Sequence, residues 1–525
     1  TSGGDTTIIG ASVALDRGEV GGDLTLNAIA GDVDATGSIA VGGGIDIDAT
    51  GDVSFGSLDA QGRSFTVDAD GNINFIDGTS SDTIAMNAGG GIDGGNLTAT
   101  GALDLAADRI VIGTAGADAI DFRSATDILF DTISSPNDIA LAAATGTIGK
   151  NGGPGDISGG GSIGLDANQI NVGNLIADSG NIDAMAVGNL TAGFIDANGS
   201  AALTAGNVTI DGADIGGTLS VIANGISGNV QSTADISAVG SIAMDATADV
   251  QLANLVAGDV IAIDAGGTID LADTSSGAGI TLTSGDAISG GDLSAAADID
   301  LDANTVIFGN LTAGGEIIAT GDSLTFADVD AAIVNLTGRV DVTTADIIGG
   351  TAILQGGVLQ TQNVNLTDDL NITANDVNIG NVSGRDITIA SDLDIRFNQL
   401  DAAGVIGLTA ANGAIMKGAG PGNIAAGANI ALTALSIETG ALVAGGAISA
   451  NGTDGGLRIG SADAATTLDL ISGSSIAVSA ALTSGRVMAL VANGGDINFD
   501  SASSADSISM RASGLTVAGW RRKTP

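Results

Sequence analysis

Leu165-Asp166-Ala167-Asn168-Gln169-Ile170-Asn171-Val172-Gly173-Asn174-Leu175 is the stretch that decides the fold. Apolar residues alternate with polar ones until Gly173 and Asn174 interrupt them, the signature of a short, half-buried strand ending in a tight corner. The same frame holds from Leu301-Asp302-Ala303-Asn304 to Gly309-Asn310-Leu311, and from Ile47-Asp48-Ala49 to Gly56-Ser57-Leu58. Its glycine, or the stand-in Ala253, falls at 56, 113, 173, 253, 309, 380 and 440. The successive gaps are 57, 60, 80, 56, 71 and 60, and all but the 71 lie close to multiples of 19 or 20. The 71 suggests a loop insertion. A turn of roughly 19–20 residues, made of three short strands with tight corners, fits one coil of a parallel β-helix. The expected fold is therefore all-β, a single right-handed parallel β-helix (a solenoid) of about 26 coils.

Longer repeats point the same way. Residues 63–175 align without a gap on residues 330–442 at an offset of 267. The alignment places Ile73 on Val340, Phe75 on Val342, Leu103 on Leu370, Gly113 on Gly380, Ile139 on Ile406, Lys150 on Lys417, Pro154 on Pro421 and Ile163 on Ile430. A partial third copy from 491 matches Val67, Ile73, Phe75 and Ile84 to Val491, Ile497, Phe499 and Ile508. Apolar positions and turn glycines recur, and little reactive chemistry does. A stacked scaffold repeats in this way, since one coil cannot bury its own apolar stripe. The offset of 267 amounts to about fourteen coils, read as duplicated in one block. Ser134–Asn137, Lys150–Asp156 and Lys417–Asn423 break the alternation and read as corner loops. Residues 1–519 form one continuous shaft in this reading, and 520–525 an irregular basic tail, with a natural cap and a truncation both open.

Composition agrees. The chain has 525 residues, 84 of them Gly, with no Cys, His or Tyr and a formal charge of −46. All but Glu19, Glu316 and Glu438 of its 61 acidic residues are Asp, and Lys appears only at 150, 417 and 523. Helical proteins lean on Glu, Lys and Leu, whereas Asp, Asn and Gly favour turns. A 44% hydrophobic content in alternation argues against disorder. Collagen is excluded by the lack of a three-residue Gly period. No apolar run is long enough for a transmembrane helix. The chain opens at Thr1 without a signal-peptide pattern and reads as a segment or processed form of something longer.

The recurring Gly-Asn-Leu-Thr-Ala at 95–99, 188–192 and 309–313, beside Gly-Ser-Ile and Gly-Asp-Ile strands, resembles the shaft of filamentous haemagglutinin-like exoproteins. The likeness spans essentially the whole chain. It implies a secreted or surface-displayed fibre of a Gram-negative bacterium, exported by two-partner secretion and mediating adhesion. It also implies an outer-membrane secretion partner and cell-surface or glycan receptors. The family's secretion domain, with its Asn-Pro motifs, is not among these residues.

Reactive chemistry is sparse. There is no His for zinc, no Cys or His nucleophile pair, and no Walker loop. Pairs such as Asp46/Asp48 and Asp300/Asp302 put two carboxylates on one strand face, where they could meet a sugar or a cation. The plainer reading is a solvated outer face that keeps a long apolar stack soluble. Calcium is the ligand with most support. Gly113–Phe122 approaches the Gly-Gly-x-Gly-x-Asp nonapeptide, nominating Asp118 and Asp121. Asp68-Ala69-Asp70-Gly71-Asn72 resembles half a calcium loop, nominating Asp68 and Asp70, although Thr79 stands at its twelfth position. Asn-x-Thr/Ser sequons such as Asn96 and Asn310 read as turn chemistry. Thr281-Leu282-Thr283 belongs to no regular threonine row.

A polyanionic chain repels nucleic acid and anionic lipid. The expected function is thus a non-enzymatic adhesin shaft without cofactor and without membrane insertion. A calcium-dependent surface-layer solenoid and a β-helical glycan-active enzyme are the rivals. The duplicated loops, with Lys150, Asn151 and Asp156 in one and Lys417 and Asn423 in the other, are the candidate exposed binding surfaces.

Overall fold

Alternation commits each short segment to a strand with one face in and one face out, and the corners set which strands stack. In the computed structural model, which describes residues 1–520 with side chains to Gly514, the described chain is all-β without a helix. Parallel strands stack as a β-solenoid of about 27 turns. The chain divides into two units, Thr1–Ala272 and Asp273–Pro525.

In the first unit each coil has three strand segments. Ile45–Ala49 and the two segments 53–55 and 57–60 of Val53–Ala60 make one such coil, and Phe65–Ala69 with segments 73–75 and 77–80 of Ile73–Ser80 the next. Each segment pairs in parallel with its equivalent, so Ile45 meets Phe65, Val53 meets Ile73 and Leu58 meets Gly78. The first segment carries the clearest code, an inward Ile/Leu, a second inward Leu, Ile or Val, and an inward Ala where the chain turns. Leu24, Ile45, Phe65, Ile84, Leu103, Ile120, Ile139, Ile163 and Ile182 follow one another in register down one column, all buried. Each such side chain contributes about 1.5–3 kcal/mol on leaving water, and like shapes stack on like at the ~4.8 Å strand spacing. Phe55 lies flat on Phe75 with ring centroids 5.2 Å apart.

The second unit is built alike. Ile280, Ile299, Ile317 and Val334 form its first column. Leu370, Ile387, Ile406, Ile430, Ile448, Leu468 and Met488 form the corresponding column further along.

All seven frame positions, from Gly56 to Gly440, sit at the same corner, between the second and third segments of their coils. The wide gap between Gly309 and Gly380 is not an insertion. Ala327 donates its N–H to Gly309 O and Ala345 to Ala327 O, so short coils fill the interval. The strand runs without interruption over Asp328–Leu366.

Register also corrects the long repeat. Leu103, Ile120, Ile139 and Ile163 stack in the first copy as Leu370, Ile387, Ile406 and Ile430 do in the second, coil for coil. Upstream the copies slip. Ile84 stacks on Leu103 in the first, but in the second Ala352, and not Thr351, the residue aligned with Ile84, stacks on Leu370, a step one position shorter. With a side-chain period of two, a slip of one residue sends a side chain to the other face. One coil earlier the slip reaches two residues, so Val342, stacked on Leu324, takes the inward place that Ile73 holds, and Val340 is left 55% exposed. Val491 likewise misses its expected place, because Met488, Leu490 and Ala492 take the inward positions of that strand. The Gly-Asn-Leu-Thr-Ala runs divide too: Leu97 and Leu311 lie on third segments, Leu190 on a second. Of the tail at 520–525, only Trp520, the last residue of Gly514–Trp520, falls within the described residues.

Candidate functional site

Corners carry most of the polar chemistry. An Asp, Asn or Ser side chain there accepts the backbone N–H of the next coil. Asp32 Oδ1 accepts Asp52 N–H at 2.8 Å, Asp52 Oδ1 accepts Asn72 N–H at 2.7 Å, and Asn72 Oδ1 accepts Gly91 N–H at 2.8 Å. A carboxylate or amide thus satisfies a main-chain donor that the bend leaves without a strand partner. Buried serines close other corners. Ser135 Oγ donates to Asp118 O at 2.8 Å and accepts Asn137 N–H at 3.0 Å, which accounts for the break in alternation at Ser134–Asn137. The aspartate content is therefore partly structural.

The duplicated loops lengthen their coils at the corner between second and third segments. Their brackets to the preceding coil match. Asp131 accepts Gly153 N–H through Oδ1 and Gly155 N–H through its carbonyl, both at 2.8 Å. Asn398 accepts Gly420 N–H at 2.9 Å and Gly422 N–H at 2.8 Å in the same manner. Gly155 and Gly422 have φ of +75° and +71°, where a side chain is strained. A Cβ at Gly155 would also lie 2.5 Å from Lys150 Cγ, and one at Gly422 would meet the Lys417 side chain as closely. The recurrence of Lys, Pro and Gly therefore has a structural cause, since the lysine stem packs over a left-handed glycine. Asp156 Oδ1 accepts Asn174 N–H at 2.7 Å, and Asn423 Oδ1 accepts Ala441 N–H at 2.9 Å. These two candidates are corner brackets. Asn151 Nδ2 reaches Ile112 O at 3.4 Å, and Lys150 remains exposed.

The calcium candidates are dispersed over the coils. Asp68 Oδ1 accepts from Asn87 Nδ2 at 3.2 Å, Asp70 stands at a corner, and Asp118 Oδ1 accepts from Asn137 Nδ2 at 2.9 Å. Asp121 pairs with Arg123. Partial burial raises the Asp121 carboxyl above the usual range, against the pull of Arg123. Gly113–Phe122 does not form a separate cation loop, as Thr114–Gly116 and Ala119–Ser124 are strands of successive segments. Among the described residues no group of three carboxylate, His or Cys side chains converges on a point that could hold a metal ion. The thermal midpoint of the chain is expected to be the same in calcium and in chelator by circular dichroism. A rise of several degrees with calcium would contradict this.

Outward aspartates stack in register, as at Asp48/Asp68 and Asp245/Asp264. Asn27 Nδ2 and Asn87 Nδ2 flank the first pair and donate to it. Asp300 is raised above the usual carboxylate range by partial burial and then by Asp302. A carboxyl raised in the folded state binds protons more tightly there, so its contribution to stability falls as pH rises through its range. Asp300→Asn is expected to raise the urea midpoint at pH 7 and to leave it unchanged at pH 3. An unchanged midpoint at pH 7 would remove the strain assigned to this pair.

One concave surface stands out. A groove of about 640 Å³ in the second unit is lined by Lys417, Glu438, Arg458, Asn498 and Phe499 among others. It crosses the outward positions of stacked second segments, where Glu438, Arg458 and Ala477 follow in register, and Ala477 begins the strand pair that leads to Asn498. Lys417 Nζ lies 3.7 Å from Glu438 Oε1. Arg458 is exposed and has no carboxylate within ion-pair distance among the described residues. The sequence reading selected Lys417 and passed over its companions, although a coil period of about 20 residues links Lys417, Glu438 and Arg458.

Comparison of the chain with models of protein families, with curated proteins and with solved structures returns no match. Among the described residues no helix is long and apolar enough to cross a membrane.

Proposed function

We propose that this chain is a non-enzymatic structural shaft of a large secreted or surface-displayed bacterial adhesin. The observation that carries the reading is the continuity of the inward columns within each unit. Coil after coil devotes its inward residues to stacking and its corner Asp, Asn and Ser to bracketing the next coil. Such a body presents length and repeated outer surface, and attachment through many weak contacts needs both. The proposal includes export through an outer-membrane partner and display on a Gram-negative cell, in keeping with the resemblance of its repeats.

The test is an in-frame deletion of the coding segment in the source cell. Attachment to surfaces or to other cells should fall several-fold while growth is unchanged. Undiminished attachment would overturn the proposal.

A further inference from the structure

We propose that the groove at Lys417, Glu438 and Arg458 is a binding site for an acidic saccharide, with Arg458 taking its carboxylate. The site goes beyond the shaft reading and stands on its own geometry. On a chain of net charge −46, an exposed guanidinium beside abundant aspartate would ordinarily find a carboxylate. Arg63, Arg123, Arg339, Arg385 and Arg396 all do, whereas Arg109 and Arg511, like Arg458, have no such partner among the described residues, and of these three only Arg458 lines the groove. Arg458 has none because its register neighbour Glu438 is engaged by Lys417 across the corner. On the other side its neighbour is Ala477, whose small side chain leaves the groove open.

The polar groups therefore differ in what they can take. The Lys417–Glu438 pair is internally neutral, and Glu438 offers carboxylate lone pairs to hydroxyl donors. Asn498 adds an amide with both donor and acceptor capacity. Arg458 is left as the single uncompensated charge, with a fork that matches one carboxylate. Several hydroxyls and one carboxylate are the groups of a uronic-acid unit. An acidic peptide would bring carboxylates against Glu438 without hydroxyls to satisfy it. A second copy of this chain would meet the long-range repulsion of two polyanions. The volume lies within the range of small-ligand sites.

The duplication supplies a comparison within the molecule. At the offset of 267, Lys417, Glu438 and Arg458 correspond to Lys150, Asn171 and Thr191. Asn171 and Thr191 occupy the same register as Glu438 and Arg458, and Thr191 is followed by Thr209 instead of an alanine. The lysine loop recurs for structural reasons, whereas the charged pair and the gap beside it are particular to the second copy.

The experiment is calorimetric titration of the full chain with a trisaccharide carrying a single galacturonate at low salt, with neutral galactotriose and tri-aspartate in parallel. The singly acidic trisaccharide should bind saturably and the other two should not. Arg458→Gln should weaken binding about tenfold or more. Ala477→Leu, which fills the groove without changing charge, should weaken it as well. Arg396→Gln, which removes a paired arginine elsewhere, should leave it unchanged. Both groove positions face outward, so unchanged circular dichroism is expected of each variant. Absence of saturable binding, equal binding by Arg458→Gln, or equal binding of tri-aspartate would each overturn the assignment.

Discussion

Leu141→Asp is expected to unfold the coils around it, whereas Ala142→Asp, one residue along, should be almost silent. Leu141 is 2% exposed and lies in register between Phe122 and Leu165 in an unbroken apolar column. A carboxylate there loses its water and gains no partner, a cost of about 3–5 kcal/mol even after local rearrangement. In a solenoid that loss falls on the coil and on both its neighbours, because each coil is stabilised by its contacts above and below. Ala142 faces outward on the same strand, among positions that already carry Asp121 and Asp166 nearby. Its replacement should change stability by less than about 0.5 kcal/mol. Urea unfolding followed by circular dichroism reads both. Similar midpoints for the two variants would mean that the assigned strand register is wrong.

Gly380→Ala and Gly113→Ala should differ sharply, although the two glycines occupy equivalent places in the duplicated block. A Cβ at Gly380 would lie 1.8 Å from the carbonyl oxygen of Gln362 in the preceding coil. That atom belongs to a backbone held in a strand ladder, and relief requires the coil to move. The expected loss is about 1–3 kcal/mol, the range for forced overpacking. At Gly113 the nearest atoms are Asn96 Oδ1 at 3.1 Å and Gly95 O at 3.2 Å, so small adjustments suffice. Thermal melts should show a clear drop for Gly380→Ala and a small one for Gly113→Ala. The two corners differ in the coil that precedes them, which holds Gly95 in the first copy and Gln362 in the second.

These contrasts show what was legible before the structure. Period-two alternation and the frame glycine placed the strands and one corner of every framed coil, because both follow from local chemistry. The Lys-Pro-Gly loops were located too, though their cause, a lysine stem over a left-handed glycine, is visible only in three dimensions. What the sequence concealed was coil length. Short and long coils coexist, as the steps from Leu103 to Ile120 and from Ile139 to Ile163 show. The gap between Gly309 and Gly380 therefore reads as an insertion only when a constant period is assumed. The same assumption aligned Val340 with Ile73 and Val491 with Val67, although a slip of two residues gives the first inward place to Val342 and a slip of one gives the second to Leu490.

The candidate sites divide along similar lines. Asp156 and Asn423 looked available because polar loop residues usually are, yet each brackets a backbone N–H of the next coil. Asp68, Asp70, Asp118 and Asp121 matched short calcium patterns whose geometry needs a turn, and the chain runs straight through them as strand and corner. The groove went unseen because its residues are a coil apart, so no local motif joins Glu438 to Arg458.

The central proposal is that this solenoid acts outside the cell as an attachment shaft. Its most direct test is protease accessibility on intact source cells and in their medium, read with antibodies raised against the chain. The proposal predicts that the chain is found in the medium or is degraded by added protease while the cells remain intact. A chain detected only after lysis, and protected until then, would contradict it.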